Sequence, residues 1–328
     1  MLKTPRFYHA RLLAALVAMA SVAACNGGAC GNCAVPAYNA APGAVPGVVP
    51  TVAPGGAPVV VLPPGVVLPP GVPTPPPAAL SCNQAASTVP LGPALAPFAV
   101  LAGSTVTNTG LTIVTFAAGA TTGGTNDDLI GVSPGTAVTG FYPPGTDTDG
   151  PNAIYAVGYN NTPAVPLAAQ GAWTAAYNAL AALPATTVVP GGQDLSLLNV
   201  GGGHPTGTLP PGVYKSASTM SIMAGNLTLD GGGNPQSVFV FQVGSGLTTT
   251  SGGAGTGNMI LINGASACNI YWQVVSSAVL GGTTFYGNVL ALASVTLTSS
   301  TAFTGRALAS TGAVTISTAS LITNPGGK

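Results

Sequence analysis

Acid–base, metal and redox chemistry draw on few side-chain types, and this sequence holds little of them. It contains no Glu, and its acids are Asp127, Asp128, Asp147, Asp149, Asp194 and Asp230. Beyond the first eleven positions its bases are His204, Lys215, Arg306 and Lys328. General acid–base catalysis needs such groups to converge in a cleft. Here Asp127-Asp128 and Asp147/Asp149 sit in Gly-, Thr- and Pro-rich stretches that read as solvated turns, and neither pair completes a calcium loop. His204 has no second His beyond the amino-terminal segment, which excludes a His-cluster metal site. Arg306 starts beside an apolar run, where pairing with a carboxylate or carbonyl is expected rather than catalysis. The chain is therefore read as no enzyme, with no catalytic residue, metal, cofactor or small-molecule substrate. Charged residues make up 4% of the chain and the net charge is +0, so nothing is present to neutralise the phosphates of a nucleic acid.

What the chain has in quantity is Thr, Ser and Ala at alternating positions. In SVTLTS, Val295 and Leu297 point inward, so Thr296 and Thr298 point out. In GAVTIS, Val314 and Ile316 point in, and Thr315 and Ser317 point out. In TAFTG and TTFYG, Phe303 and Phe285 point in, leaving Ala302, Thr304, Thr284 and Tyr286 outward. A Thr side chain offers water a hydroxyl beside a methyl, and its β-branching restricts χ1, so a Thr grid is pre-organised. Stacked strands would space such a grid by ~4.8 Å between strands and ~6.6 Å along a strand, both near repeats of the ice lattice.

The element that must hold such a grid is visible at Asn269–Ile322. Lines beginning at Asn269, Asn288 and Arg306 repeat with steps of about 19 and 18 residues, each carrying an apolar run and then two β-rich runs. That repeat predicts a right-handed, three-faced β-solenoid, mostly β, with three short strands per coil. VFVFQV, IYWQV, VLAL and RALA are apolar on both sides and predict a face buried on both sides. One helix is expected over 162–186, begun by Pro163 and Pro166 and ended by Pro184. Trp173, Tyr177 and Leu180 form its apolar stripe, and it has the length to lie along that buried face.

Residues 1–24 read as a signal peptide, with Lys3, Arg6 and Arg11 ahead of the apolar Leu12–Ala20. Val22-Ala23-Ala24-Cys25 resembles a bacterial lipobox, which makes Cys25 a lipidation site and a membrane anchor. Asn26 then points to the outer membrane or cell surface, the alternative being secretion. Residues 25–85 read as a Pro/Val/Gly-rich linker of polyproline II character, about 3.1 Å per residue, and 86–328 as the folded domain. Export permits disulfides among Cys30, Cys33, Cys82 and Cys268; Cys30/Cys33 is expected to be local, and Cys82–Cys268 would tie the start of the domain to the ladder.

The segments FAVLAGSTVTNTG, IGVSPGTAVTGF, AYNALA, GTLPPGVYK, VFVFQVGSGLTT, INGASACNIYWQV, GTTFYGNVLA and GRALASTGAVTI resemble the microbial ice-binding protein family across about 87–323. The resemblance implies a discontinuous β-solenoid with a helix alongside, and ice or ordered water as the partner. It also implies an ice face patterned as Thr-x-Thr or Thr-Ala/Gly-x-Thr/Asn. Thr136–Thr139 and Thr301–Thr304 match the longer pattern, while Thr283-Thr284-Phe285-Tyr286 departs from it. The expected ice face is thus Thr136, Thr139, Thr283, Thr284, Thr301 and Thr304. The alternative face carries Thr296, Thr298, Thr315 and Ser317, with Val279 in the Thr296/Thr315 column. The competing function is a structural or adhesive surface solenoid that binds glycan or another hydrated surface.

Overall fold

The computed structural model describes residues 91–117, 129–250, 256–298, 301–317 and 320–326. The signal peptide, the linker, Asp127-Asp128, Cys25, Cys30, Cys33 and Cys82 lie outside the described residues. Within them the fold is the expected one: three parallel β faces wound into a solenoid, with one helix along the first.

One turn of the coil shows how the sequence makes three faces. Ile270–Val274 lies on the first face and Ala278–Gly281 on the second. Thr284–Ala291 then crosses the third face and continues into the first face of the next coil. The bend inside that strand is Gly287, which has φ 114, and its Cβ would press against the Ile270 side chain at 2.6 Å. Only Gly fits there. The next coil repeats the device in Ala302–Ala309, with Gly305 in register with Gly287. All pairings between described strands are parallel, as stacking of successive coils requires. Inside the stack Tyr214, Phe241, Trp272, Phe285 and Phe303 follow one another at ring distances of 5.3, 4.0, 5.3 and 5.7 Å.

The spatial order of strands is not the chain order. Phe98–Ala102 pairs with Ala302–Ala309 on one side and Leu129–Val132 on the other. Thr105–Asn108 sits between Val314–Ile316 and Ala137–Thr139, and Ile113–Phe116 between Leu321–Asn324 and Thr146–Asp147. The two amino-terminal coils therefore cap the carboxy-terminal end of the stack. The chain then returns to the opposite end, where Thr187–Val188 begins the long climb back.

The helix Ala164–Ala182 makes that return. Its 19 residues rise about 28 Å, the width of about six stacked strands. Its contacts run along the first face in order. Gln170 and Trp173 donate to the carbonyls of Ala309 and Leu308 at 3.1 and 3.3 Å. Tyr177 meets Gln273, and Gln242 donates to Leu180 and Leu183 carbonyls at 2.7 and 2.9 Å. Trp173, Tyr177 and Leu180 are buried against Val240, Tyr271, Leu290 and Leu308, as the doubly apolar strands predict.

Arg306 closes the discontinuity. It is buried at the edge where the third face meets the first, and it donates to the Ala96 carbonyl (2.9 Å), Asn288 Oδ1 (2.7 Å) and the Gly326 carbonyl (3.2 Å). One guanidinium thus holds the start of the first coil, the body of the ladder and the chain's end. Pairing with carbonyls is the role its sequence position suggests. Burial lowers its pKa to about 10, well below that of a solvated guanidinium.

Candidate functional site

The second face is one eight-stranded parallel sheet. Its strands, in spatial order, are Gln193–Asp194, Met220–Ile222, Leu247–Thr250, Ala278–Gly281, Val295–Leu297, Val314–Ile316, Thr105–Asn108 and Ala137–Thr139. Seven spacings of ~4.8 Å make it about 34 Å across. Met220, Leu247, Ala278, Val295, Val314, Val106 and Val138 point inward and are buried. The next residue of each strand points outward. Registers put Asp194, Ser221, Thr248, Val279, Thr296, Thr315, Thr107 and Thr139 in one column. Two residues on, Thr250, Gly281, Thr298, Ser317 and Thr109 make a second column.

These columns are available to solvent. Thr248, Thr296, Thr315 and Thr107 are half-buried, and Thr139, Thr298, Ser317 and Thr109 are exposed. Among the described residues no protein group takes the hydroxyls of Thr107, Thr139, Thr248, Thr296 or Thr315, so they remain for water. In the second column Thr109 donates to the Ser317 carbonyl at 2.9 Å, which ties together two coils 208 residues apart in the chain. The sheet's one charge, Asp194, lies on its end strand and is occupied by neighbouring amides and a hydroxyl. It accepts from the Ser196 N–H and hydroxyl at 3.0 and 2.7 Å, and from the Met223 and Ala224 N–H groups at 3.1 and 2.8 Å. Inside its end strand the grid is small-residued and uncharged, and Val279 with Gly281 forms the one interior strand without an outward hydroxyl.

The third face does not present the surface expected of it. Thr301 and Thr304 are fully buried, at 0% exposure. The Thr301 hydroxyl donates to the Gly282 carbonyl at 2.9 Å. Thr283 is exposed but its hydroxyl is held by Asn258 Oδ1 at 2.6 Å, and half-buried Thr284 leans on the Met259 carbonyl at 3.4 Å. Tyr286, expected outward, is also buried, and loss of hydration pushes its phenol up to about 12. Thr139 belongs to the second face rather than with Thr301 and Thr304, and exposed Thr136 precedes its strand. Alternation separates inner from outer positions on the second-face strands, but Tyr286, expected outward, packs in the interior cluster. Alternation carries no information about whether an outward residue is covered, so a four-residue motif grouped side chains that the fold separates. The residues missed by the motif, Thr107, Thr109, Thr248 and Thr250, carry the same alternation. Their place beside Thr315 and Thr296 depends on the capping coils.

Asp147 and Asp230 both bind neighbouring backbone. Asp147 accepts the Asp149 N–H at 2.9 Å. Asp230 is held below the usual carboxylate range by the Gly232 N–H and then by the Asn263 amide. Among the described residues no three His, Cys, Asp or Glu side chains gather as a metal site.

The ice-binding-like family model matches residues 100–322. An ice-binding protein of Nostoc sp. (strain HG1) is 42% identical over 237 residues, covering 72% of this chain and 74% of that protein. Ice-binding protein 1 of Shewanella frigidimarina (strain NCIMB 400) is 44% identical over 146 residues, 43% of this chain and 15% of that protein. Among solved structures, an ice binding protein from an Antarctic biological consortium has a TM-score of 0.56 at 37% identity, covering 74% of this chain and 94% of that one. The DUF3494 domain of the Shewanella protein has a TM-score of 0.56 at 31% identity, covering 72% and 96%.

Proposed function

On the premise that this chain belongs to the ice-binding-like family, we propose that it adsorbs to ice through the eight-stranded second face. The observation that carries the choice of face is the register. Thr248, Thr296, Thr315, Thr107 and Thr139 stand in one outward column with hydroxyls unclaimed by protein, broken at Val279. Each hydroxyl can join an ordered water layer while its methyl excludes bulk water. Strand pairing fixes the spacing, so adsorption orders little that is not already ordered. The face acts by adsorption and needs no catalytic group. The test is thermal hysteresis and ice-crystal shaping by the full chain. Faceted, growth-arrested crystals support the reading, and round, unshaped crystals at high concentration reject it.

We also propose that the protein is exported and held at the outer membrane or cell surface. The basic residues and short apolar core of 1–24, followed by Val22-Ala23-Ala24-Cys25, support lipidation at Cys25. Growth with a labelled fatty acid should label the wild type and leave Cys25→Ser unlabelled and released to the medium. Equal labelling of both would reject the anchor.

A further inference from the structure

We propose that the cleft beside the carboxy-terminal end of the helix binds a small neutral polyhydroxyl molecule, a polyol or a single sugar unit. Gly212–Ser216, Phe239–Val243 and Ile270–Val274 are neighbouring strands of the first face. Their registers align Lys215, Gln242 and Gln273 in one outward row. The two glutamines are buried, at 3% and 5% exposure. The helix ends at Ala182, and Lys215 is exposed. Where the cover stops, a cleft of about 190 Å³ opens, lined by this row together with Ala181, Ser216 and Val275. That is room for several waters or for one small solute.

The polar groups of the lining are unequally satisfied. Gln242 Nε2 donates to the carbonyls of Leu180 and Leu183 at 2.7 and 2.9 Å. Carbonyls only accept, so the nitrogen must face them, and this fixes the orientation of the amide. Its Oε1 is thereby left buried without a donor. Buried acceptors are nearly always satisfied, and one that is not calls for a partner. The other groups are engaged. Gln273 is hydrogen-bonded to the Tyr177 phenol, and the Ser216 hydroxyl donates to the Pro190 carbonyl at 3.3 Å and accepts the Ser218 N–H at 3.2 Å. The cleft thus combines one acceptor in need of a donor with one exposed ammonium that has three N–H groups to give.

The charges around the cleft select against ions. The carbonyl end of the helix and Gln242 Oε1 carry partial negative charge, which disfavours an anion. The Lys215 ammonium disfavours a metal cation. A hydroxyl both donates and accepts, so neighbouring hydroxyls of one neutral molecule can donate to Gln242 Oε1 and accept from Lys215 Nζ. Ala181 and Val275 then face its carbon skeleton. Lys215 is the one titratable group of the lining, so the ligand is held and not converted. Two sources offer this chemistry, a free polyol and a sugar residue of a polysaccharide. The proposal stands whether or not the second face binds ice.

The test is a titration of the full chain with glycerol, with methyl glucoside and with a soluble glucan, followed by the Gln242 side-chain amide signal in nitrogen–proton NMR spectra. The two small molecules should shift that signal with a Kd of about 1–10 mM. Lys215→Met should weaken binding about tenfold, since it removes a charged donor at an exposed position. Val275→Phe, which fills the mouth of the cleft from an exposed position, should weaken it at least as much, and Thr296→Tyr should leave it unchanged. Melting curves confirm that each variant is folded. Tighter binding of the glucan than of methyl glucoside supports the proposal with a polysaccharide as the source, and binding of the small molecules alone supports it with a free solute. The absence of a saturable shift with all three up to about 100 mM overturns it, since water alone would then complete Gln242. So does a Kd that neither Lys215→Met nor Val275→Phe changes, or tighter binding of acetate than of either small molecule.

Discussion

Replacing Thr296 by Tyr tests the second face at its middle. The neighbours of Thr296 across the sheet are Val279 and Thr315, with Thr107 one strand further. An outward Tyr on a strand costs the fold little, since aromatic residues suit a pleated surface. It does raise the surface locally by about 4 Å, more than the ~2.8 Å of one hydrogen-bonded oxygen layer. A flat crystal plane resting on that ring can no longer share a water layer with Thr107, Thr109, Thr296, Thr298, Thr315 and Ser317. At about 1 kcal/mol net per hydrogen bond, losing these groups costs about 6 kcal/mol, or more than 10⁴ in the adsorption equilibrium. Thermal hysteresis should therefore fall to near background at an unchanged melting temperature. The matched control is Thr304→Val on the buried face, which removes an unpartnered hydroxyl without changing shape. It should leave hysteresis intact and stabilise the fold by about 1 kcal/mol, a rise of about 2–4 °C. Full hysteresis and faceted crystals with Thr296→Tyr, or their loss with Thr304→Val, would refute the assignment of faces.

Val279→Thr restores the missing hydroxyl in the central column and should raise hysteresis; a drop, with unchanged melting, would count against a continuous grid. Because the outward column from Ser221 to Thr139 holds only Ser, Thr and Val, hysteresis should vary little with pH across the neutral range. A sharp step in that range would implicate another surface. Stability should behave differently in alkali. The Tyr286 phenol is raised from 10.0 to about 12, so its contribution is full below pH 10 and is lost as pH rises toward 12. The slope is about 1.4 kcal/mol per pH unit, about 2.7 kcal/mol in all, and Tyr286→Phe should flatten denaturant midpoints above pH 10 by that amount. Arg306, with its pKa lowered to about 10, acts oppositely, since its burial penalty eases as pH rises above about 10. Arg306→Ala leaves Asn288 Oδ1 and the Ala96 and Gly326 carbonyls short of a donor. It should cost about 3–5 kcal/mol, and a loss under 1 kcal/mol would show that the chain ends are held by other means.

The sequence by itself determined the repeating coil, the inward and outward sense of the second-face strands, the doubly apolar face and the helix that covers it. These are local properties: a two-residue period in VTL and VTI, a helical stripe at Trp173, Tyr177 and Leu180, prolines at the helix ends. It also placed Arg306 as a partner for carbonyls, since a lone cation among apolar strands has no other inexpensive state. Only the tertiary structure decided which Thr face meets solvent. Thr296 and Thr304 have the same chemistry, the same branching and the same alternating neighbours. They differ because Thr304 is buried, and burial depends on what lies above a strand, which no local period encodes. The stacking of the two amino-terminal coils on the last coil is equally non-local. It sets Thr107 beside Thr315 and completes a column of hydroxyls that reads, along the chain, as unrelated fragments.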